Sequence, residues 1–161
     1  MTDHVAGVLD QWARERPDLD VSPMAVVGRV SRVSRRFAAE TARTFAQHGL
    51  DHASFDVLAT LRRAGPPYAL SPTALTRSSM VTSGAISQRL DRLEARGLVV
   101  RRPRPTDGRG TDVALTDEGK ALVDRALPDH LATEERLLAA LSDEQRAELA
   151  TLLSALLVSL E

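Results

Sequence analysis

The amino-acid sequence predicts a mainly α-helical fold with one small β-hairpin. Apolar residues recur at helical spacing through most of the chain, and two short helices are joined by a tight turn. Two runs of β-branched residues then flank a loop rich in arginine, proline and glycine. Two short helices followed by a hairpin with a basic tip form a winged helix-turn-helix, so we expect that architecture.

The N-terminal half predicts two helices ahead of this lobe. Val5, Leu9 and Trp12 lie at i, i+4 and i+7, which indicates an extra N-terminal helix over residues 5–16 that Pro17 ends. Ser22 is then placed to cap a long helix, over residues 23–48, with Pro23 in its first position. This second helix is longer than a compact winged-helix lobe requires.

The lobe itself is expected over residues 51–116. Asp51 is placed to cap its first helix, and Ser71-Pro72 opens a short second helix. The recognition helix should begin at Thr82 or Ser83 and run to Gly97. The runs LVV (98–100) and TDVAL (111–115) are the two expected strands of the wing.

The C-terminal part predicts two more helices, within residues 117–160. Thr116 caps the first, which should bend or break at Pro128. Ser142 and Gln145 have the spacing of a capping box, and the leucines from Leu149 to Leu160 form a broad apolar stripe. We expect the chain to be a single domain, 1–161, whose helices 23–48 and 117–160 form the interface of a homodimer. The alternative is a monomer that buries these helices internally.

Composition limits the class of protein. Hydrophobic residues make up 43% and charged residues 27% of the chain, as in soluble globular proteins, and no apolar run reaches the roughly 18 to 20 residues that span a bilayer. The absence of cysteine excludes disulfides and thiol chemistry. The sequence therefore predicts a cytoplasmic protein that does not associate with membranes.

Charge is unevenly distributed along the chain. Residues 76–111 contain eight arginines and three acidic residues, a net charge of +5, whereas residues 112–161 carry eleven acidic and four basic residues, a net charge of −7. A basic block within a chain of net charge −1 indicates a local surface for a polyanion.

The recognition helix supplies residues suited to double-stranded DNA. Ile86, Leu90 and Leu93 share one face and should point to the core, which leaves other faces for a groove. Gln88 can read adenine, while arginines and hydroxyls suit phosphates or a narrow minor groove. The predicted DNA contacts are Arg77, Ser78, Thr82, Ser83, Gly84, Ser87, Gln88, Arg92, Arg104 and Arg109. The alternative is a plain hairpin whose arginines form a solvated surface.

An enzyme is not expected. The sequence contains no G-x-S-x-G, no Gly-rich phosphate loop and no H-E-x-x-H, and its four histidines are scattered without the spacing of metal ligands. We therefore predict neither catalytic residues nor a metal or cofactor.

The segment TSGAISQRLDRLEARGLVVRR, with DGRG and VALTDEG after it, resembles the MarR family of bacterial winged-helix regulators. The resemblance implies a homodimer, built by the terminal helices, that binds a palindromic operator and releases it on meeting a small molecule. Many members have Asp-Arg-Arg in the wing where this chain has Asp107-Gly108-Arg109. One wing charge is therefore missing.

Three further residues stand out for their placement. Asp56 and Arg63 are seven apart on one helical face, where neither is spaced for a direct i,i+4 pair, so each should face another element. Arg89 falls beside the buried stripe of its helix, where an arginine usually seeks a carboxylate.

Trp12, Asp56, Arg63 and Arg89 together resemble the four-residue signature of a urate-responsive subfamily of MarR regulators, and RERPDLDVSPMAV is similar to that subfamily's N-terminal segment. The resemblance implies that Trp12 and Arg63 hold an anionic purine such as urate. Asp56 would sense its charge, and Arg89 would relay the change to the recognition helix through the loss of an Asp56–Arg89 contact.

Other interpretations stay open at this point. Trp12 can serve only to pack the extra helix, and Asp56 and Arg63 can be surface charges. The effector can be another anion, such as a tricarboxylate or a phenolic acid. A small-molecule-binding module without DNA-binding activity is the alternative function.

Overall fold

The computed structural model describes residues 3–80, 86–104 and 110–161, without the side chain of Ile86. It confirms a mainly helical fold with a small antiparallel sheet. The elements in chain order are α1 (His4–Glu15), α2 (Ser22–Gln47), α3 (His52–Arg63), β1 (Ala69–Leu70), α4 (Pro72–Ser78), α5 (Ile86–Ala95), β2 (Val99–Pro103), β3 (Thr111–Leu115), α6 (Asp117–Leu137) and α7 (Asp143–Leu160). Residues 1–40 and 41–161 form two compact units.

The first unit contains α1 and most of α2. Asp3 caps α1 by accepting hydrogen bonds from the backbone of Val5 and Ala6, and its second oxygen accepts from Arg29 Nε at 2.8 Å. Val5 is buried against Gly28, where an added Cβ would lie 3.2 Å from a Val5 methyl. The predicted extra helix is therefore present and packs through its first turn.

The start of α2 differs slightly from the expected cap. Ser22 lies within the helix, and its backbone N–H and hydroxyl donate to the carboxylate of Asp20 at 2.9 and 3.1 Å. An aspartate two residues upstream thus replaces Ser22 as the side-chain acceptor, because a carboxylate accepts both donors at once.

The core of the second unit is organised around α3. Asp51 caps this helix as predicted, accepting from Ser54 N at 2.8 Å, and every residue from Ser54 to Leu58 is buried. Buried side chains from α2, α4, α5, α6 and the sheet join the same cluster, among them Phe45, Leu75, Leu93, Val113 and Val123.

The sheet has one more strand than the sequence predicts. Its order is β1-β3-β2, and β1 pairs with β3 through Ala69↔Ala114 and Leu70↔Val113. The predicted hairpin of β2 and β3 is confirmed, with Val99 opposite Leu115, but β2 continues to Pro103, three residues into the segment predicted as the loop, 101–110. A two-residue strand has no periodicity to reveal it, so β1 was missed. Residues 105–109 of the expected basic loop lie outside the described residues.

The C-terminal helices begin as predicted. Thr116 Oγ1 accepts from Gly119 N at 2.9 Å, and Ser142 and Gln145 form a capping box. The expected break at Pro128 is wrong, because α6 continues through it. Ala126 and Thr133 are buried on either side of the proline, and this packing holds the helix together despite the lost hydrogen bond.

In contrast, α7 buries none of its residues within the single chain, and its leucines are exposed. None of the helices in the described part of the chain combines the length and apolar character needed to cross a bilayer.

Gly119→Ala should destabilise the protein by roughly 1–3 kcal/mol, the usual effect of overpacking. A Cβ at Gly119 would lie 1.9 Å from the carbonyl oxygen of Leu98, a backbone atom that cannot swing aside. The free energy of unfolding, measured by urea denaturation, checks this.

Gly7→Ala is the matched control. An added Cβ at Gly7 meets nothing within 4 Å, and alanine favours a helix interior by roughly 0.5–1 kcal/mol. A Gly119→Ala protein as stable as the native chain would contradict the close approach of α6 to Leu98.

Candidate DNA interface and effector residues

Helix α5 has one apolar side that is buried in the core and one polar side that is exposed. Leu90 and Leu93 are buried as predicted, whereas Ser87, Gln88 and Arg92 are exposed. Their polar groups are therefore available to another molecule. Thr82, Ser83 and Gly84, three of the predicted DNA contacts, lie outside the described residues.

Helix α4 supplies the other half of the helix-turn-helix. Ser71 caps it by accepting from Ala74 N at 3.2 Å, and Leu75 anchors it in the core. Arg77 and Ser78 are exposed in its last turn, where an arginine and a hydroxyl can reach a phosphate.

Two side chains of α3 form hydrogen bonds with the backbone at the end of α4. The buried carboxylate of Asp56 accepts from the backbone N–H of Met80 at 2.7 Å, and Arg63 Nη2 donates to the carbonyl oxygen of Ser78. The expectation that Asp56 and Arg63 each face another element is confirmed. The alternative of two surface charges is wrong for Asp56, which is 6% exposed.

Arg89 has the expected kind of partner but not the expected one. Its Nη1 donates to the carboxylate of Asp51, and its buried Nε has no partner in the described part of the protein. The predicted Asp56–Arg89 contact is therefore wrong. The carboxylate of Asp56 accepts a hydrogen bond from the backbone of Met80, and Arg89 forms its ion pair with Asp51, at the start of α3.

The Asp51 carboxyl is tuned by these contacts. Partial burial raises its pKa, but the hydrogen bonds from Ser54 and the charge of Arg89 outweigh that effect. The pKa of Asp51 is therefore lowered below its ordinary value, so the carboxylate stays ionised opposite Arg89 near neutral pH.

A cavity of about 330 Å³ opens between the start of α3 and α5. Asp51 and Ser54 line one side, and Arg89, Arg92 and Arg96 line the other. Arg96 Nη1 donates to Gly49 O at 2.9 Å, which ties the turn after α5 to the turn after α2. Three guanidinium groups against one carboxylate make this cavity electropositive.

The wing is fastened to α5 by an arginine that sequence reasoning missed. Arg101 on β2 donates to Asp91 Oδ1 at 2.6 Å and to Glu94, and its own backbone N–H donates to Glu94 at 3.0 Å. Asp91 and Glu94 are three residues apart on one helical face, which was the available signal. Part of the positive charge of residues 76–111 is therefore paired with carboxylates of the protein itself.

Of the two arginines predicted to contact DNA from the wing, Arg104 lies among the described residues. Arg104 Nε donates to Asp112 Oδ1 at 3.2 Å, so DNA would compete with an internal partner for this side chain. Arg109 lies outside the described residues.

Trp12 lies in α1 and belongs to the first compact unit, whereas Asp56, Arg63 and Arg89 belong to the second. Its side chain is 41% exposed. The shared pocket implied by the sequence resemblance stays a prediction.

Histidines and acids do not converge into a metal site in the described ranges. His48 Nε2 pairs with Asp129 at 2.8 Å and His130 Nε2 with Glu134 at 3.2 Å, both as isolated pairs. The first contact joins the turn after α2 to α6, whereas the second lies within α6 at i,i+4 spacing.

Comparison with known proteins places this architecture in a family. The MarR family model matches residues 48–110. The HTH-type transcriptional regulator PecS of Dickeya dadantii is 42% identical over 149 residues, which cover 92% of this chain and 90% of PecS.

Two solved structures are similar over most of the chain. Sco3205, a MarR family transcriptional regulator from Streptomyces coelicolor solved in complex with DNA, has a TM-score of 0.79 at 25% identity and covers 89% of this chain and 94% of its own. BpsR of Bordetella bronchiseptica, whose DNA binding is regulated by 6-hydroxynicotinic acid, has a TM-score of 0.73 at 27% identity and covers 81% and 91%.

Asp51→Ala should lower the free energy of unfolding by roughly 1 kcal/mol, because Ser54 N loses its cap acceptor. Asp51→Asn keeps an acceptor and removes only the charge that faces Arg89, so it should fall between the native chain and the alanine variant. Urea denaturation of the three proteins at neutral pH checks the order.

The pH dependence follows from the lowered pKa of Asp51. A depressed folded-state pKa adds stability above the unfolded value, about 3.9, and loses it as the pH falls through the folded value. The stability gap between the native chain and Asp51→Asn should therefore shrink as the pH drops from 6 towards 3. A gap that widens over that interval would count against the Asp51–Arg89 pair.

Proposed function

The chain belongs to the MarR family of DNA-binding transcriptional regulators, and we propose that it is a homodimeric repressor that releases a palindromic operator when a small anion such as urate binds. The observation that carries the DNA-binding part is α5, which buries Leu90 and Leu93 and exposes Gln88 and Arg92.

The proposed DNA contacts follow from the groups that are exposed. Helix α5 enters the major groove, where Gln88 reads a base edge and Ser87 and Arg92 contact bases or phosphates. Arg77 and Ser78, at the end of α4, contact the backbone. Thr82, Ser83 and Gly84 on the recognition helix, and Arg104 and Arg109 on the wing, complete the proposed set.

A homodimer is proposed because two helices leave apolar side chains uncovered. Val26, Val27 and Val30 on α2 are exposed, as are Leu156 and Leu157 on α7. A second copy can bury such faces and place two recognition helices about 34 Å apart, one turn of DNA. In this proposal 1–161 is one domain, with dimerisation helices 23–48 and 117–160 beside the lobe 51–116.

The proposed effector site uses Trp12, Asp56, Arg63 and Arg89. A planar anion favours an aromatic surface and a guanidinium, and Trp12 and Arg63 are both exposed. Urate fits this chemistry, as do other aromatic acids, and 6-hydroxynicotinic acid, which regulates BpsR, is one of these. A tricarboxylate is the alternative that the anionic character of the site leaves open.

Binding to the DNA upstream of the gene should be tight for an intact palindrome and much weaker for a half-site, because both recognition helices must dock. Arg77→Ala should weaken binding similarly across sequences and reduce the slope of log affinity against log salt by about 1, the contribution of one phosphate contact. Fluorescence anisotropy over a series of salt concentrations measures both.

Arg16→Ala is the charge-matched control, since Arg16 is an exposed arginine paired with Asp18 in the turn after α1. Equal salt slopes for the two variants would remove Arg77 from the interface. A native protein that binds neither site would leave the alternative, a ligand-binding module without DNA-binding activity.

Urate should quench the fluorescence of Trp12, the single tryptophan, and release the operator over the same concentration range. Arg63→Ala should weaken that quenching by about tenfold or more, as expected for the loss of a charge-assisted contact of about 1.5–3 kcal/mol. Titration of urate, 6-hydroxynicotinate and citrate, corrected with free tryptophan, checks this and ranks the anions.

Arg62→Ala is the control, because the neighbouring Arg62 pairs instead with Asp124 of α6 at 2.7 Å. Quenching that survives Arg63→Ala as well as Arg62→Ala would exclude Arg63 from the effector site.

A further inference from the structure

We propose that Asp56 and Arg63 are positioning residues that clamp the exit of α4, and that this clamp is the element through which an effector acts on DNA binding. Both side chains leave α3 on one face and end on the backbone of Ser78 and Met80. This inference deepens the proposed function and rests on its effector part only for the response to ligand.

Asp56 provides the first point of the clamp. Its carboxylate is buried and forms no ion pair with any described residue, yet it accepts from Met80 N at 2.7 Å. A backbone N–H that has left a helix needs an acceptor, and an ionised one forms a stronger hydrogen bond than a neutral one. The buried acid therefore has a structural task without any ligand.

Arg63 provides the second point. The carbonyl of Ser78 belongs to the last turn of α4, where carbonyl oxygens lack an intrahelical partner. A guanidinium there satisfies one of them and favours the negative end of the helix. An N–H and a C=O two residues apart are thus held from one helix, which fixes the direction in which the chain leaves α4.

The clamp projects from a helix that is packed into the core. The residues from Ser54 to Leu58 are buried, and so are Thr60 and Leu61, so that Asp56 and Arg63 project from a helix embedded in the core. The chain that they hold is the one that continues into the recognition helix α5. Both contacts therefore lie close along the chain to the proposed DNA-reading surface.

An anion at the effector site would act on both contacts together. Its negative charge would compete with the Ser78 carbonyl for the Arg63 guanidinium, and it would repel the Asp56 carboxylate. Ligand binding and the clamped state would then be mutually unfavourable, which is the differential affinity that allostery requires. This route needs no Asp56–Arg89 contact, in keeping with the pairing of Arg89 and Asp51.

Two substitutions at Asp56 separate a clamp from a charge sensor. Asp56→Asn keeps an oxygen that can accept from Met80 N and removes the charge, whereas Asp56→Ala removes both. If Asp56 only senses charge, both variants bind the operator like the native chain without ligand. If Asp56 clamps, Asp56→Asn keeps most of the operator affinity, and Asp56→Ala loses about tenfold, the order of effect expected when a part-buried N–H loses its charged acceptor.

The experiment measures operator affinity by anisotropy, without effector, for the native chain, Asp56→Asn, Asp56→Ala, Arg63→Ala and the control Arg62→Ala. Urea denaturation confirms that each variant is folded at the assay temperature. We expect losses for Asp56→Ala and Arg63→Ala alone. Equal operator affinity for Asp56→Ala and Asp56→Asn would overturn the clamp.

Hydrogen exchange at the Met80 amide provides a test that needs neither DNA nor a response to urate. We expect faster exchange in Asp56→Ala than in Asp56→Asn and the native chain, and unchanged exchange would again overturn the clamp. A native chain that binds no operator would refute the proposed function but leave this readout decisive. Faster exchange at Met80 on addition of urate to the native chain would confirm the ligand route, and unchanged exchange at saturating urate would refute it.

Discussion

The burial of α3 is the constraint on which the second unit depends. Helices α4, α5 and α6 and strand β3 all contact it, and its residues 54–58 are all buried. Asp51 at its start pairs with Arg89 of α5, while Asp56 and Arg63 hold the backbone that leaves α4. The helices that must fit a DNA groove are thus held in position by α3, the best-packed helix of the unit.

Some arginines of this protein form ion pairs within the fold, and others are exposed and able to contact DNA. Arg101 fastens β2 to Asp91 and Glu94 of α5, and Arg104 pairs within the wing. A net charge of +5 over residues 76–111 therefore overstates the charge available to DNA. Exposed arginines that form no ion pair with other described residues, such as Arg77, are the ones able to displace counterions from phosphates.

Local chemistry explains which features could be predicted from the sequence. The caps at Asp51 and Thr116 were predicted because a cap depends on the residue and its next few neighbours. The buried face of α5 follows from periodicity in the same way. These features need no knowledge of what lies across the core.

Most of the features that were missed or mistaken depend on tertiary contacts, and the cap of α2, where Asp20 replaces Ser22 as the acceptor, is the local exception. Strand β1 exists because β3 offers it an edge, and α6 continues past Pro128 because both flanks are packed. The partner of Arg89 was misjudged because helical spacing gives the side of a helix, not the depth at which a neighbouring carboxylate lies. The effector residues rest on resemblance for the same reason, with Trp12 in one compact unit and its proposed partners in the other.

In the proposed function, two copies of α5 read DNA from a folded dimer. Hydroxyl-radical footprinting of the upstream region tests it most directly, because it reports the geometry of the complex base by base. Such a dimer should give two protected patches related by the symmetry of the palindrome, with centres about 34 Å, or one helical turn, apart. A single protected patch, or uniform protection independent of sequence, would contradict it.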